Sequence, residues 1–234
     1  MKLLVSPINR EEAVIASNGG ADIVDVKNPK EGSLGANFPW VIREVKEAVN
    51  GRQPISATIG DFNYKPGTAS LAALGAAVAG ADYIKVGLYD IQTEAQALEL
   101  LTRITEAVKD YDPTKKVVAS GYSDYKRINS ISPMLLPAVA AEAGADVVMV
   151  DTGVKDGKST FEFMDEKELT MFAELAHEHG LEVAIAGSLK FEDLPVLERI
   201  GPDIIGVRGM VCGGDRSTVI RQELVEKLVS ECQA

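Results

Sequence analysis

The sequence predicts a single (β/α)₈ barrel, and three observations support this prediction. A phrase that joins a small residue, an aspartate and a β-branched run occurs four times, and its aspartates are 57 to 64 residues apart. A repeat of that length holds two strand–helix units. Strands and helices alternate throughout, which is typical of parallel strands joined by right-handed crossovers. Eight such units in 234 residues agree with a barrel, for which roughly 250 residues is usual.

Eight apolar runs provide the predicted strands. The even-numbered strands lie in the repeated phrases, which are GGADIVDVK at 19–27, AGADYIKVG at 79–87, AGADVVMVD at 143–151 and, in a weaker form, IGPDIIGVRG at 200–209. The odd-numbered strands are Leu3–Ser6, Ile55–Ile59, Val117–Gly121 and Val183–Ser188. A strand buried on both faces should be continuously apolar, and the run at 23–27 departs from this pattern at Asp25 and Lys27 on one face, as expected where a site lies.

A helical pattern of apolar residues follows each strand. The predicted helices are Arg10–Ser17, Pro39–Val49, Ala69–Ala79, Thr93–Lys109, Pro133–Ala143, Glu166–His179, Phe191–Ile200 and Ser217–Cys232. A doubly wound open sheet is the alternative architecture. It is disfavoured because no GxGxxG follows the first strand.

Composition sets the domain organisation and the compartment that we expect. With 46% hydrophobic and 25% charged residues and no linker, residues 1–234 are predicted to form one catalytic domain. The longest uncharged apolar stretches, such as 69–81, are shorter than the roughly 20 residues of a membrane span. The N-terminus has no signal-peptide apolar region. We therefore expect a cytoplasmic protein.

The net charge of −11 disfavours nucleic acid and anionic membranes as partners, so a bound anion needs a local basic cluster. Cys212 and Cys232 lack the spacing of metal ligands, and His177 and His179 cannot share one face of their predicted helix. No metal and no cofactor are predicted. The expected partners are a small phosphorylated substrate and further copies of the same chain.

Aligned positions of the four phrases give a sharper prediction, because inward side chains of alternate barrel strands stack in layers of four. The layer one residue after each aspartate is Ile23, Tyr83, Val147 and Ile204. The layer three residues after is Asp25, Lys85, Met149 and Gly206, and the layer five residues after is Lys27, Gly87, Asp151 and Arg208. The odd strands add Ser6, Ser56 or Thr58, Ser120 and Ser188. The interior is thus predicted to change from apolar to charged towards the carboxyl ends of the strands, where barrel enzymes have their active sites.

Lys27 and Lys85 have two interpretations. Each lysine could form a buried ion pair with Asp25 or Asp151. Alternatively, two lysines close together in a partly buried site disfavour the ammonium form, so that one amine is neutral and nucleophilic near pH 7. A neutral amine attacks a carbonyl to give a Schiff base, and the second lysine can then transfer protons. Lys155 is either a solvated loop residue or, four residues after Asp151, a group at the barrel mouth.

A phosphate site is predicted where strands seven and eight end. Barrels often bind phosphate there through glycine amides and a helix N-terminus. The candidate residues are Gly187, Ser188, Arg208, Gly209, Gly213 and Gly214. Glycine in these loops could also serve turns only. Arg208 favours phosphate, because a guanidinium binds this anion in a bidentate manner.

Five segments resemble the (5-formylfuran-3-yl)methyl phosphate synthase family of methanogens and some methylotrophs. The segments are LLVSPIN at 3–9, GGADIVDVKNPKEGSLGANFPW at 19–40, YKPGTASLAALGAA at 64–77, GADYIKVGLY at 80–89 and DIIGVRG at 203–209. The resemblance implies a class I aldolase-like barrel of methanofuran biosynthesis that condenses two molecules of glyceraldehyde 3-phosphate, with loss of phosphate and water. It further implies that Lys27 is the Schiff-base residue and Lys85 the proton acceptor, and it links Asp25, Asp151 and Lys155 to the same site.

Two other functions are compatible with the residues alone. A phosphosugar isomerase on the same barrel would use a carboxylate or histidine base and form no imine. A non-catalytic sensor would bind a phosphometabolite without turnover.

Overall fold

The computed structural model describes residues 1–232 and contains a closed barrel of eight parallel strands. The strands are β1 (Lys2–Val5), β2 (Ile23–Val26), β3 (Ile55–Phe62), β4 (Tyr83–Leu88), β5 (Lys116–Tyr122), β6 (Val147–Asp151), β7 (Glu182–Ile185) and β8 (Ile204–Val207). Each strand pairs with its neighbours in chain order, and β8 pairs with β1 to close the ring. The predicted fold class is therefore confirmed.

Helices surround the barrel and follow the strands in order. They are α1 (Arg10–Asn18), α2 (Pro39–Val49), α3 (Pro66–Val78), α4 (Glu94–Tyr111), α5 (Leu136–Glu142), α6 (Glu166–Glu178), α7 (Leu194–Ile200) and α8 (Gln222–Cys232). Their buried apolar faces pack on the outer side of the strands and, together with the strands, form a large hydrophobic core. No helix within residues 1–232 has both the length and the apolarity to cross a bilayer.

The four repeated aspartates have a structural role at the amino ends of the strands. Each carboxylate accepts the backbone N–H at or next to the start of the preceding odd strand, at 2.7–2.8 Å. The pairs are Asp22 with Leu3, Asp82 with Ile55, Asp146 with Val117 and Asp203 with Val183. The repeat therefore fixes neighbouring strands against each other at the end of the barrel opposite to the predicted site.

The interior of the barrel is layered as the sequence predicts. Ile23, Val147 and Ile204 belong to one buried apolar cluster, against which Tyr83 packs. Met149 belongs to the same cluster in the layer above. These side chains fill the barrel from its amino end, so only the carboxyl end is open to a ligand.

The last helix begins later than the sequence predicts, at Gln222 instead of Ser217. The carbonyl groups of Arg216 and Thr218 accept hydrogen bonds from the Arg208 guanidinium, at 2.7 and 3.0 Å. Ser217 is held in a turn by the carboxylate of Asp215. These contacts fix residues 215–218 as a loop over the barrel, although the apolar pattern alone would continue the helix.

Candidate active site

A buried lysine–aspartate pair lies at the base of the site, between β2 and β4. Lys85 Nζ is 2.8 Å from Asp25 Oδ2, and both side chains are at most 1% exposed. The hydroxyl groups of Ser6 and Ser56 also donate to Asp25, at 2.8 and 2.6 Å. Burial, the largest influence, raises the pKa of Asp25, but the charges of Lys85 and Lys27 and the hydrogen bonds from Lys85 and Ser56 hold it below its usual value. Asp25 is thus an ionised carboxylate that accepts hydrogen bonds from Lys85, Ser6 and Ser56.

Lys27 lies one layer nearer to the open end, directly after β2. Its Nζ is 4.0 Å from Asp151 Oδ2, and the residue is 6% exposed. The pKa of Lys27 is lowered to about 7, chiefly because burial disfavours the ammonium form. Attraction to Asp151 opposes this shift, whereas repulsion from Lys155 and Lys85 adds to it. A substantial fraction of this amine is therefore neutral near pH 7.

Asp151 lies between two lysines at the end of β6. Lys155 Nζ donates to Asp151 Oδ1 and to Thr152 Oγ1, the latter at 3.0 Å. Burial is the largest influence on the pKa of Asp151 and raises it, but Lys155 and Lys27 outweigh burial and bring the pKa to about 2. The amine of Lys155 therefore lies at the barrel mouth, as in the second of its two interpretations, and is not a solvated loop group.

A cavity of about 590 Å³ opens at the carboxyl ends of the strands. Its lining includes Lys27, Lys85, Asp151 and Lys155, together with Arg216 and residues of the loops after β7 and β8. The volume is that of a site for a small molecule. Within residues 1–232, no three His, Cys, Asp or Glu side chains are grouped so that they could hold a metal ion.

Arg208 lines the cavity, but its hydrogen bonds do not support the prediction that it binds phosphate. The backbone leaves strand geometry at this residue, with φ −136° and ψ −60°, so its side chain turns from the barrel axis towards α1. Its guanidinium donates to Glu12, which is also buried, at 2.7 Å and to Ser6 O at 2.8 Å. The other N–H groups bond to Glu12 and to the carbonyls of Arg216 and Thr218. All five donors are used inside the protein, and none remains for a ligand.

The predicted glycine-rich rim is only partly suited to an anion. Gly187, Ser188, Gly209, Gly213 and Gly214 all line the cavity. The N–H groups of Gly213 and Gly214 donate to Gly209 O and close a turn, which does not favour their predicted role as phosphate donors. Ser188, whose φ is +52°, and Gly187 and Gly209 donate no backbone hydrogen bond to any residue from 1 to 232. A serine held at positive φ is strained, and strained residues of this kind cluster at functional sites.

Tyr122 and Asp61 belong to the site region, and the sequence analysis missed both. Gly87 leaves a gap in the charged layer, and the Tyr122 hydroxyl fills it while donating to Asp61. Burial, followed by the charge of Asp61, raises the pKa of Tyr122 well above its usual value. Asp61 also accepts the N–H of Leu34 at 3.2 Å and so fixes the loop after Lys27. The unfilled position at Gly87 was the available signal, since a gap in a packed layer must be filled from a neighbouring strand.

Arg216 is also missing from the sequence prediction, in which only Gly213 and Gly214 of this segment had a ligand role and the last helix began at Ser217. The residue lines the cavity, and its Nη2 is buried without a hydrogen-bond partner in the described part of the chain.

Fold and site together define the class of protein. A (β/α)₈ barrel with lysines and aspartates gathered at the carboxyl ends of its strands is a barrel enzyme with its active site in the usual position. Among solved structures, the chain is similar in fold to KGPDC from Streptococcus mutans, with a TM-score of 0.68 and 15% identity over 99% of this chain and 96% of that one. It is also similar to 3-hexulose-6-phosphate synthase, with a TM-score of 0.65 and 20% identity over 97% and 99% of the two chains.

Sequence comparison gives the particular family. The 4-HFC-P synthase family model matches residues 3–229. Proteins named (5-formylfuran-3-yl)methyl phosphate synthase are 92% identical in Methanosarcina acetivorans, over the full length of both chains, and 59% identical in Archaeoglobus fulgidus, over 98% of each. The chain belongs to the (5-formylfuran-3-yl)methyl phosphate synthase family of enzymes.

Proposed function

We propose that the protein condenses two molecules of glyceraldehyde 3-phosphate into (5-formylfuran-3-yl)methyl phosphate, with release of one phosphate and two waters, through an imine on Lys27. Family membership supports the product, which is the one in the names of the relatives. The single observation that supports the imine is the buried Lys27 amine with a pKa of about 7 at the barrel mouth. Such an amine is nucleophilic at neutral pH.

The first step forms the covalent intermediate. The neutral amine of Lys27 attacks the aldehyde carbon of one substrate molecule, a C–N bond forms, and the carbonyl oxygen leaves as water after it has gained two protons. The protonated imine bears a positive charge on the nitrogen of Lys27. Asp151, 4.0 Å from Lys27 Nζ and ionised above a pKa of about 2, stabilises that charge.

Carbon–carbon bond formation follows. The imine acidifies the adjacent C–H, and loss of that proton gives an enamine whose carbon attacks the aldehyde of the second substrate molecule. The buried Lys85–Asp25 pair accepts and returns protons below the imine. Lys155, bonded to Asp151, serves the proton transfers on the solvent side. Phosphate and water are then eliminated, and hydrolysis of the imine frees Lys27.

Product analysis tests this function. Mass spectrometry after incubation with glyceraldehyde 3-phosphate should detect the six-carbon furan aldehyde phosphate, with one inorganic phosphate released for every two substrate molecules consumed. A reaction without enzyme corrects for spontaneous loss of phosphate. The Lys27→Ala variant should form no product. Lys30→Ala, which changes an exposed lysine of the same loop, should keep wild-type turnover.

Isomerisation of the substrate without release of phosphate would contradict the proposal. The same conclusion would follow if Lys27→Ala kept its activity.

A further inference from the structure

We propose that Arg216 is the residue that recognises the phosphate group of the aldehyde substrate, and that the backbone amides of Ser188 and Gly209 complete this subsite. The inference extends the proposed function and relies on it for the identity of the substrate. It assigns to Arg216 the role that the sequence suggested for Arg208.

The backbone around Arg216 is fixed in place over the barrel. Arg216 O accepts from Arg208 Nε at 2.7 Å, and Thr218 O accepts from Arg208 Nη2 at 3.0 Å. On the other side, the Asp215 carboxylate accepts the N–H of Ser217 at 2.9 Å. Arg208, itself buried and paired with Glu12, thus supports the loop that presents Arg216. Arg208 thus stabilises the loop, and Arg216 remains available to bind a ligand.

The Arg216 side chain lines the cavity and has one buried donor without a partner among residues 1–232. It lines the same cavity as Lys27 and Lys155. Its Nη2 is buried but donates no hydrogen bond to residues 1–232. A buried donor without an acceptor costs about 1–3 kcal/mol, so folded proteins rarely keep one without a functional reason. Burial, the largest influence, lowers the pKa of Arg216, and the charge of Arg208 lowers it further; the charges of Asp151 and Asp61 oppose this shift without reversing it.

Neighbouring amides make the subsite suitable for a phosphate monoester. Gly209 is adjacent, because a Cβ placed on it would lie 4.0 Å from Arg216 N and from Arg216 Cβ. Gly209 and Ser188 both line the cavity, and their N–H groups are not used by the described residues. A guanidinium binds two oxygens of a phosphate at once, and free backbone amides bind the third. In a protein of net charge −11, such a local cluster is needed to attract a dianion.

Binding of sn-glycerol 3-phosphate tests the proposal independently of the imine, because this probe has the phosphate group but no carbonyl. We expect calorimetry to show binding to the wild type, and binding about 10- to 100-fold weaker to Arg216→Ala, the range for loss of a charged hydrogen bond. Arg216→Lys keeps the charge but loses the bidentate geometry and should show an intermediate affinity. The control is Arg103→Ala, which changes an exposed arginine of α4 that pairs with Glu106, and it should bind like the wild type.

Equal affinity of Arg216→Ala and the wild type would overturn the assignment, and so would a wild type that does not bind the probe. If Arg216→Ala fails to fold, Arg216→Lys decides by the same criterion.

A second assay separates this proposal from the imine. Borohydride trapping with unphosphorylated glyceraldehyde should modify Lys27 equally in the wild type and in Arg216→Ala. Loss of probe binding in Arg216→Ala without any adduct in the wild type would contradict the imine alone, and an adduct with unchanged probe binding would contradict Arg216 alone.

Discussion

The low pKa of Lys27 has several physical causes, which separate variants can test. Burial is the largest cause, and repulsion from Lys155 and Lys85 adds to it, whereas Asp151 acts in the opposite direction. The sequence suggested repulsion between Lys27 and Lys85 together with partial burial. In the structure Lys85 forms an ion pair with Asp25 at 2.8 Å, and of the two lysines Lys155 lowers the pKa of Lys27 more.

The pH dependence of imine formation follows from this pKa. Only the neutral amine attacks a carbonyl, so the adduct formed in a short fixed time should increase as the pH rises through about 7 and level off above it. Lys155→Met removes a positive charge that lowers the pKa of Lys27, so its midpoint should move to higher pH. Samples incubated at each pH and quenched with borohydride at one common pH would measure this by mass spectrometry. Lys158→Met, at an exposed position of the same loop, is the control and should leave the midpoint in place; an unmoved midpoint in Lys155→Met would contradict the account.

At this scale the sequence predicted the residues of the even strands well. Alternation runs unbroken from each repeated aspartate to the strand end, so the positions of Asp25, Lys85 and Asp151 followed from counting. The same alternation does not predict the direction of the Arg208 side chain, because the backbone leaves the extended region at this residue, directly after β8. Arg216 could not be found in this way, since only the contacts of Arg208 with its loop place that segment over the barrel.

At the scale of elements, an irregularity in β3 brings Asp61 into the site. The pairing of β3 with β4 shifts register between Thr58 and Asp61, and Gly60 between them has a φ of +124°. In regular alternation Asp61 would face away from the side on which Ser56 and Thr58 lie, so the bulge turns it inward. A pattern of period two cannot reveal such a shift, which is why the Tyr122–Asp61 pair was missed.

Gly87→Ala tests whether this pair needs the space that glycine leaves. A Cβ at this position would overlap the Tyr122 hydroxyl and lie 2.6 Å from Asp61 Oδ1. Overpacking should lower the free energy of unfolding by about 1–3 kcal/mol. The matched control is Gly75→Ala within α3, where a Cβ meets nothing within 4 Å, and it should raise the stability by about 0.5–1 kcal/mol. Denaturant titration of both variants measures the difference, and equal stability of the two would refute the packing argument.

At the scale of the whole molecule, the Arg208–Glu12 ion pair joins the first and last units of the barrel. Arg208 follows β8, and Glu12 lies on α1, 196 residues earlier in the chain. The sequence predicted the closed ring from its eight units, because strand number and alternation determine that architecture. It could not predict this pair, since nothing in a local pattern relates residues so far apart.

Removal of one partner of this buried pair should be costly. Arg208→Ala leaves the Glu12 carboxylate buried without its cation and should lower the free energy of unfolding by about 3–5 kcal/mol. The double variant Arg208→Met with Glu12→Gln should recover part of this loss, because no uncompensated charge remains. Denaturant unfolding of the single and double variants provides the comparison. An Arg208→Ala variant of wild-type stability that binds glycerol 3-phosphate weakly would restore the ligand role that the structure denies to Arg208.

Peptide mapping after borohydride reduction of the enzyme with glyceraldehyde 3-phosphate tests whether Lys27 forms the covalent intermediate. We expect the adduct mass on the peptide that contains Lys27, at reduced yield in Lys85→Ala and absent in Lys27→Ala and Lys27→Arg. An adduct on Lys85 would reverse the roles of the two lysines. No adduct on either lysine, with product still formed, would contradict the imine mechanism altogether.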